Sequence, residues 1–105
     1  MAMRLLTRKT LREYYDQPRN AAAKVPMLTW ADTVECSTWH TFVDVKQTFP
    51  ATDHLVGEKM CFDIGGNKWR IIANVTFPKI DKYGNAVMGK VYIKWIGTHT
   101  EYDKL

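Results

Sequence analysis

The run Met60-Cys61-Phe62-Asp63-Ile64-Gly65-Gly66-Asn67-Lys68-Trp69-Arg70-Ile71-Ile72-Ala73-Asn74-Val75 decides how this chain of 105 residues folds. Met60, Phe62 and Ile64 alternate with Cys61 and Asp63, the two-residue period of a strand with one buried face. Gly65-Gly66-Asn67 supplies residues that accept positive φ, as a tight hairpin requires. Beyond the turn, Trp69, Ile71, Ala73, Val75 and Phe77 share one face, while Lys68, Arg70, Ile72, Asn74 and Thr76 share the other. Pro78 ends this strand. Lys79 to Ala86 is a second, longer turn. In the last strand Val91, Ile93 and Trp95 form an apolar face opposite Lys90, Tyr92 and Lys94. Both long strands therefore offer an apolar side to a core and a basic side to water.

Upstream, the period changes from strand to helix. Arg4-Leu5-Leu6 is a short apolar segment suited to an edge strand. Thr7 is placed to cap a helix carrying Leu11, Tyr14 and Tyr15, which Pro18 and Asn20 stop. A second helix is predicted from Ala22 to Cys36, with Met27, Trp30, Ala31 and Val34 as its apolar stripe. Pro26 must lie in its first turn, where a proline is tolerated. A short third helix runs from Val43 to Thr48, with Asp44 favoured near its positive end and Pro50 beyond it. Ala51 to Glu58 reads as a loop. The expected architecture is α+β: a single domain over residues 1–105, with an N-terminal strand and helices packed on a small, mainly antiparallel, twisted sheet that ends in a polar tail.

Hydrophobic residues make up 46% of the chain, enough for one modest core and too many for a disordered segment. No apolar run approaches the roughly 20 residues of a membrane span. The start lacks the long apolar region of a signal peptide, and Met3 is a second candidate start. A cytoplasmic protein is expected. Cys36 and Cys61 read as two ordinary buried thiols. There is no Cys-x-x-Cys or His-x-x-x-His, and the three histidines are scattered, so neither a metal nor another cofactor is expected. The net charge of +4 permits nucleic acid or an acidic protein as partner without requiring either.

The chemistry-bearing residues gather in the C-terminal half. Cleaving RNA without a metal needs a group to activate the ribose 2′-hydroxyl, cations to stabilise charge on the phosphorane, and an acid for the leaving 5′-oxygen. Arg70 lies mid-sheet on the basic face, and a guanidinium fork suits two-point contact with phosphate. Arg70 equally fits a surface arginine whose stem covers apolar neighbours. His99 follows Gly97-Thr98, where the backbone can aim the ring back at the sheet, and imidazole titrates near neutrality. A lone histidine in a tail is more often merely polar. Tyr102 comes beside His99 if the tail is a helical turn, to stack or orient, or only to anchor the tail. Asn67 is first a turn residue and second a contact to RNA. Lys68 and Lys94 are either solvated charges or phosphate contacts. Trp39 and Trp69 read as core, and His40 and His54 receive no role.

These segments together resemble the HigB toxins of bacterial type II toxin–antitoxin systems, within the RelE/ParE superfamily. The resemblance runs through Thr7-x-x-x-Leu11-Arg12-Glu13-Tyr14-Tyr15, the Trp30 helix ending near Trp39, and Asp44-Val45-Lys46-x-x-Phe49-Pro50-Ala51-Thr52-Asp53. It continues in Phe62 to Arg70 and in Gly97-Thr98-His99-Thr100-Glu101-Tyr102-Asp103. It implies a RelE-like fold and an endoribonuclease that cuts mRNA, typically on the ribosome, and arrests growth. It also implies a HigA-like helix-turn-helix antitoxin as partner, with DNA touched only through that antitoxin. Arg70, His99 and Tyr102 match the positions where the superfamily keeps its catalytic groups. Asn67, Lys68 and Lys94 would hold RNA. Asp63 departs from the pattern, since such sequences often have Asn there and RelE has lysines on that strand; an acid could orient a basic group or act in proton transfer, but would also repel phosphate. Two rival functions remain: inhibition of DNA gyrase in the manner of ParE, and a non-enzymatic module whose basic face docks an acidic partner.

Overall fold

A computed structural model describes residues 2–105. Its sheet has the order β1-β7-β4-β3-β2, built from β1 (Arg4–Leu5), β2 (Asp53–His54), β3 (Lys59–Ile64), β4 (Trp69–Thr76) and β7 (Lys90–Thr98). All pairs are antiparallel except β1 with β7. A separate two-stranded ribbon, β5 (Lys79–Ile80) with β6 (Ala86–Val87), projects from the end of the β4–β7 pair. The helices are α1 (Arg8–Tyr15), α2 (Lys24–Cys36), α3 (Phe42–Thr48) and α4 (His99–Asp103). The fold is α+β, as expected.

The first three helices cover one face of the sheet. Leu11, Met27, Trp30, Ala31, Val34 and Val45 pack there with Met60, Phe62, Ile64, Ile71, Ala73, Val75, Val91 and Ile93 in one core. Phe62 sits at its centre. Trp30 and Phe49 meet its ring edge-on at 5.3 and 5.6 Å, and Trp39 stacks on it at 6.4 Å. These geometries suit the aromatic quadrupole.

The turn residues behave as their types dictate. Gly65, Gly66 and Asn67 all have positive φ, at 62°, 67° and 102°. Gly65 is also needed for space, since a Cβ there would come within 2.6 Å of the Trp69 ring. Trp69 is thereby half-buried, packed against the core from the turn end rather than enclosed in it.

Several local expectations are corrected. The second helix starts at Lys24, after a 3₁₀ segment spanning Pro18–Ala23. Pro18 suits the first position of that segment because it has no N–H to satisfy. The loop from 51 to 58 contains the short edge strand β2. The turn from 79 to 86 holds most of the β5–β6 ribbon. Thr7 stands at the N-cap of α1 without a side-chain cap bond, and its hydroxyl instead accepts the backbone N–H of Ile93 at 2.9 Å, tying helix to sheet. Cys36 is exposed, at the end of α2 where the apolar stripe runs out, and only Cys61 is buried.

The largest correction concerns Trp95. Ala73 pairs with Ile93, but Ile72 pairs with Trp95, so Lys94 is an extra residue in β7. This bulge reverses the alternation for the rest of the strand. Trp95 leaves the Val91–Ile93 face and joins Ile72 on the outward face, while Ile96 turns to the core side.

Candidate active site

Arg70 and Asp63 are register partners across β3 and β4. Both side chains therefore emerge on the same outward face, one strand apart. On the other side of Arg70 the partner is Gly97, which has no side chain to compete for the space. The Gly97 position is closed by the Trp95 indole, which a Cβ there would overlap.

The tail is a helix rather than a loose strand end. Thr98 caps α4: its hydroxyl accepts the Glu101 N–H at 3.1 Å, and the Glu101 carboxylate accepts the Thr98 N–H at 2.8 Å. This reciprocal pair is a capping box. The Thr98 backbone N–H first, and its hydroxyl second, hold the Glu101 carboxyl below the usual carboxylate range. The backbone N–H of His99 donates to the Lys68 carbonyl at 3.0 Å, so the helix begins against the β3–β4 turn. Residues 99, 102 and 103 then project from one short helix onto or beside the sheet face.

The result is a cluster around one guanidinium. Arg70 Nη1 donates to the carboxylate of Asp63 and to the side-chain oxygen of Asn67. Arg70 Nη2 lies 3.0 Å from His99 Nδ1. The guanidinium carbon is 5.4 Å from the centroid of the Tyr102 ring, within cation–π range. The Arg70 side chain is only 13% exposed.

Arginine carries only donors, so it determines the histidine tautomer. Nδ1 of His99 must accept, which puts the proton of the neutral ring on Nε2. That nitrogen faces Asp103 Oδ2 at 3.4 Å, one helical turn along α4. Both ring nitrogens are thus oriented by charged groups.

Tyr102 spans the floor of the site. Its ring centroid is 6.1 Å from that of Trp95, and its hydroxyl is a neighbour of the Cys61 thiol. Burial pushes the Tyr102 phenol up first, and the nearby Cys61 thiol and the Asp53 charge add to this, against Arg70. Burial likewise raises the Cys61 thiol. Both groups keep their protons near neutrality and are not poised as bases. Cys61 is buried on the outward face, with Tyr102 of α4 as a neighbour.

Of the residues singled out from sequence, Arg70, His99, Tyr102 and Asn67 converge. Lys68 supplies its carbonyl to His99, and its exposed side chain lies on the turn beside the cluster. Lys94 stands apart at the bulge, with Nζ 5.2 Å over the Tyr92 ring. Sequence reasoning missed Asp103 and Trp95 as site residues. The i,i+4 spacing from His99 was a usable signal for Asp103. Trp95 had none, because alternation alone assigns it to the core.

The comparisons with known proteins fit this geometry. Residues 23–105 match the HigB toxin family, described as the RelE-like toxic component of a toxin–antitoxin system. The chain is 27% identical over 104 residues to an Escherichia coli protein named mRNA interferase toxin HigB, covering 96% of this chain and 88% of that protein. It has the same identity and coverage with a Shigella flexneri protein named mRNA interferase HigB. With the family match spanning most of its length, from α2 through α4, this chain belongs to the HigB toxins, the RelE-like toxic components of toxin–antitoxin systems.

Proposed function

We propose that this toxin is a metal-independent endoribonuclease that cuts mRNA on the ribosome in the cytoplasm, and that a HigA-like antitoxin holds it in check. The observation that carries the proposal is the Arg70 cluster: a largely covered fork-shaped cation within hydrogen-bond distance of an imidazole nitrogen. The similar proteins named mRNA interferases support the substrate class.

In this scheme an mRNA phosphate takes the place of Asp63 on the guanidinium. Arg70 then meets two phosphate oxygens and stabilises the charge that builds there. Its shift releases His99 Nδ1, which accepts the proton of the ribose 2′-hydroxyl. The 2′-oxygen bonds to phosphorus, the bond from phosphorus to the 5′-oxygen breaks, a water molecule supplies the proton to the departing oxygen, and His99 gives the proton it took back to solvent. The product carries a 2′,3′-cyclic phosphate. Asp103 keeps the imidazole oriented throughout, as a carboxylate does for a catalytic histidine in other hydrolases. Tyr102, still protonated, backs the guanidinium with its ring. Asn67 and Lys68 at the turn, and Lys94 further along, bind the RNA backbone.

Inducible expression followed by mapping of mRNA 5′ ends tests the scheme. Discrete new ends that vanish in Arg70→Ala and His99→Ala variants are expected. Growth arrest that persists in both variants would overturn the nuclease proposal in favour of binding alone. Loss of supercoiling by purified DNA gyrase, with intact mRNA, would overturn it in favour of a gyrase inhibitor.

A further inference from the structure

The outward face of the sheet continues past the Arg70 cluster, and its charges are sorted. On the β2–β3 side are Asp53, Asp63 and Glu58, the last accepting the Thr76 hydroxyl at 2.6 Å. On the β7–β1 side are Lys94, Lys90 and Arg4, all exposed, with Tyr92 between the lysines. Among the described residues none of these three bases forms an ion pair. Lys59, opposite Asn74, is the exception to the sorting.

The register spaces these groups. Gly97 faces Arg70, Tyr92 faces Asn74, Lys90 faces Thr76, and Arg4 faces Lys90. Arg70 to Thr76 is six steps of β4, about 20 Å at the strand rise. Same-face rows recur every two residues, about 6.7 Å, which is close to the phosphate repeat of an extended single strand. Two further features suit a nucleic acid. Tyr92 is 48% exposed, with its ring lying outward beneath Lys94 Nζ. Asn74, across from it, has a buried side-chain oxygen with no hydrogen-bond partner among the described residues. At the far end the β5–β6 ribbon carries Lys82 beside Tyr83, whose ring is 76% exposed. Its one acid, Asp81, already accepts the backbone N–H groups of Tyr83 and Asn85 at 2.9 Å each.

We propose that Lys94, Tyr92, Lys90 and Arg4 form a track for single-stranded RNA that runs along β7 from the β5–β6 end to Arg70. This rests on the nuclease reading and adds the path of the substrate. The bases meet successive phosphates, and Lys94 swings from the Tyr92 ring to a phosphate, leaving the ring for a nucleobase to stack on. The Asn74 amide oxygen, rotated outward, accepts an N–H from a nucleobase edge. The acidic β2–β3 side confines the strand to one lane.

The test uses fluorescein-labelled 2′-O-methyl oligoribonucleotides, which lack the attacking hydroxyl, about 4 and 12 nucleotides long, within the site sizes of single-strand binders. Binding is measured by anisotropy across a salt series. Wild-type protein should bind the longer probe more tightly. An Arg4→Gln, Lys90→Gln, Lys94→Gln variant should lose that advantage, and its slope of log K against log salt should fall by about 2, near 0.7 per phosphate contact. Tyr92→Ala should weaken the longer probe about tenfold at every salt concentration, and Arg70→Ala should keep the length advantage. An unchanged slope and length advantage in the triple variant, with its melting temperature preserved, would overturn the track. So would a triple variant that binds RNA normally but no longer binds the antitoxin, because the face would then be a protein dock. If the wild type makes no mRNA ends in cells, the nuclease reading itself fails. If it cuts mRNA and the triple variant cuts with unaltered KM, the track and with it the Lys94 contact fail, while the Arg70 and His99 chemistry stands.

Discussion

Asp63 and Arg70 face each other across β3 and β4 as register partners, and their side chains close an ion pair on the outward face of the sheet. Under the proposed function, Asp63 holds the contact that a phosphate would take on the guanidinium. A carboxylate there would orient the guanidinium in the empty site and compete with substrate as it fills. The two roles can be separated by keeping the acceptor and removing the charge.

Asp63→Asn should therefore bind RNA more tightly. A charge-assisted hydrogen bond contributes about 1.5–3 kcal/mol, and part of that is recovered by the amide, so a gain of about tenfold in affinity is expected. Asp63→Ala, which removes the anchor, should lose cleavage rate instead. Anisotropy with an uncleavable probe, set beside single-turnover cleavage, reads both. Weaker binding in Asp63→Asn would show that the carboxylate is not a competitor.

Arg70→Ala should lower cleavage by about 10³-fold, comparable to the loss of other transition-state charge donors. Arg70→Lys should recover little of it, because an ammonium cannot meet two oxygens with a planar fork. Both proteins should melt as cooperatively as the wild type, since the residue lies outside the helix-covered core.

The tautomer of His99 is directly observable. Nitrogen-15 NMR of the neutral ring should show the proton on Nε2, the nitrogen facing Asp103. His99→Ala should reduce kcat by about 10²–10⁴. Asp103→Asn should reduce kcat by about tenfold with KM unchanged, a modest loss because the pair is largely exposed at 3.4 Å.

Gly97→Ala should destabilise the fold by about 1–3 kcal/mol through overpacking against the Trp95 indole. Trp95→Ala in the same chain should recover most of that loss. A denaturant-unfolding cycle of the four proteins measures the coupling. Additive effects would show that the indole does not lie over Gly97.

The α4 cap should be acid-sensitive. Glu101 titrates below its ordinary range because Thr98 bonds to its charged form. A depressed carboxylate contributes stability that is complete above its unfolded value and is lost as pH falls through the folded one. Amide exchange protection in α4 should therefore hold near neutrality and decline below the usual carboxylate range. Thr98→Ala should reduce it at every pH, by about 1 kcal/mol.

Much of this arrangement is legible in the chain. The hairpin around Gly65, Gly66 and Asn67 follows from three residues that accept positive φ between two alternating runs. The stripe of α2 reads correctly because Met27, Trp30, Ala31 and Val34 recur at helical spacing and all four are buried. Arg70 falls on the outward face by strand parity alone. Trp95 misleads because the bulge at Lys94 leaves no local trace: one inserted residue reverses the parity of everything after it. Cys36 misleads because burial depends on where a helix ends relative to its neighbours, which a residue type does not record.

The order of elements, the hairpin register and the two faces of β4 are properties of the sequence itself, because φ preferences and hydrophobic period act over a few residues. The meeting of Arg70 with His99, 29 positions apart, is a property of the fold. It requires β7 to pair with β4, the bulge to turn Trp95 outward over Gly97, and the Thr98–Glu101 cap to start α4 against the Lys68 carbonyl. Each is a long-range or strand-end contact whose geometry forms only when the sheet has closed. That closure converts a conspicuous arginine and a histidine in a polar tail into neighbours with a defined tautomer.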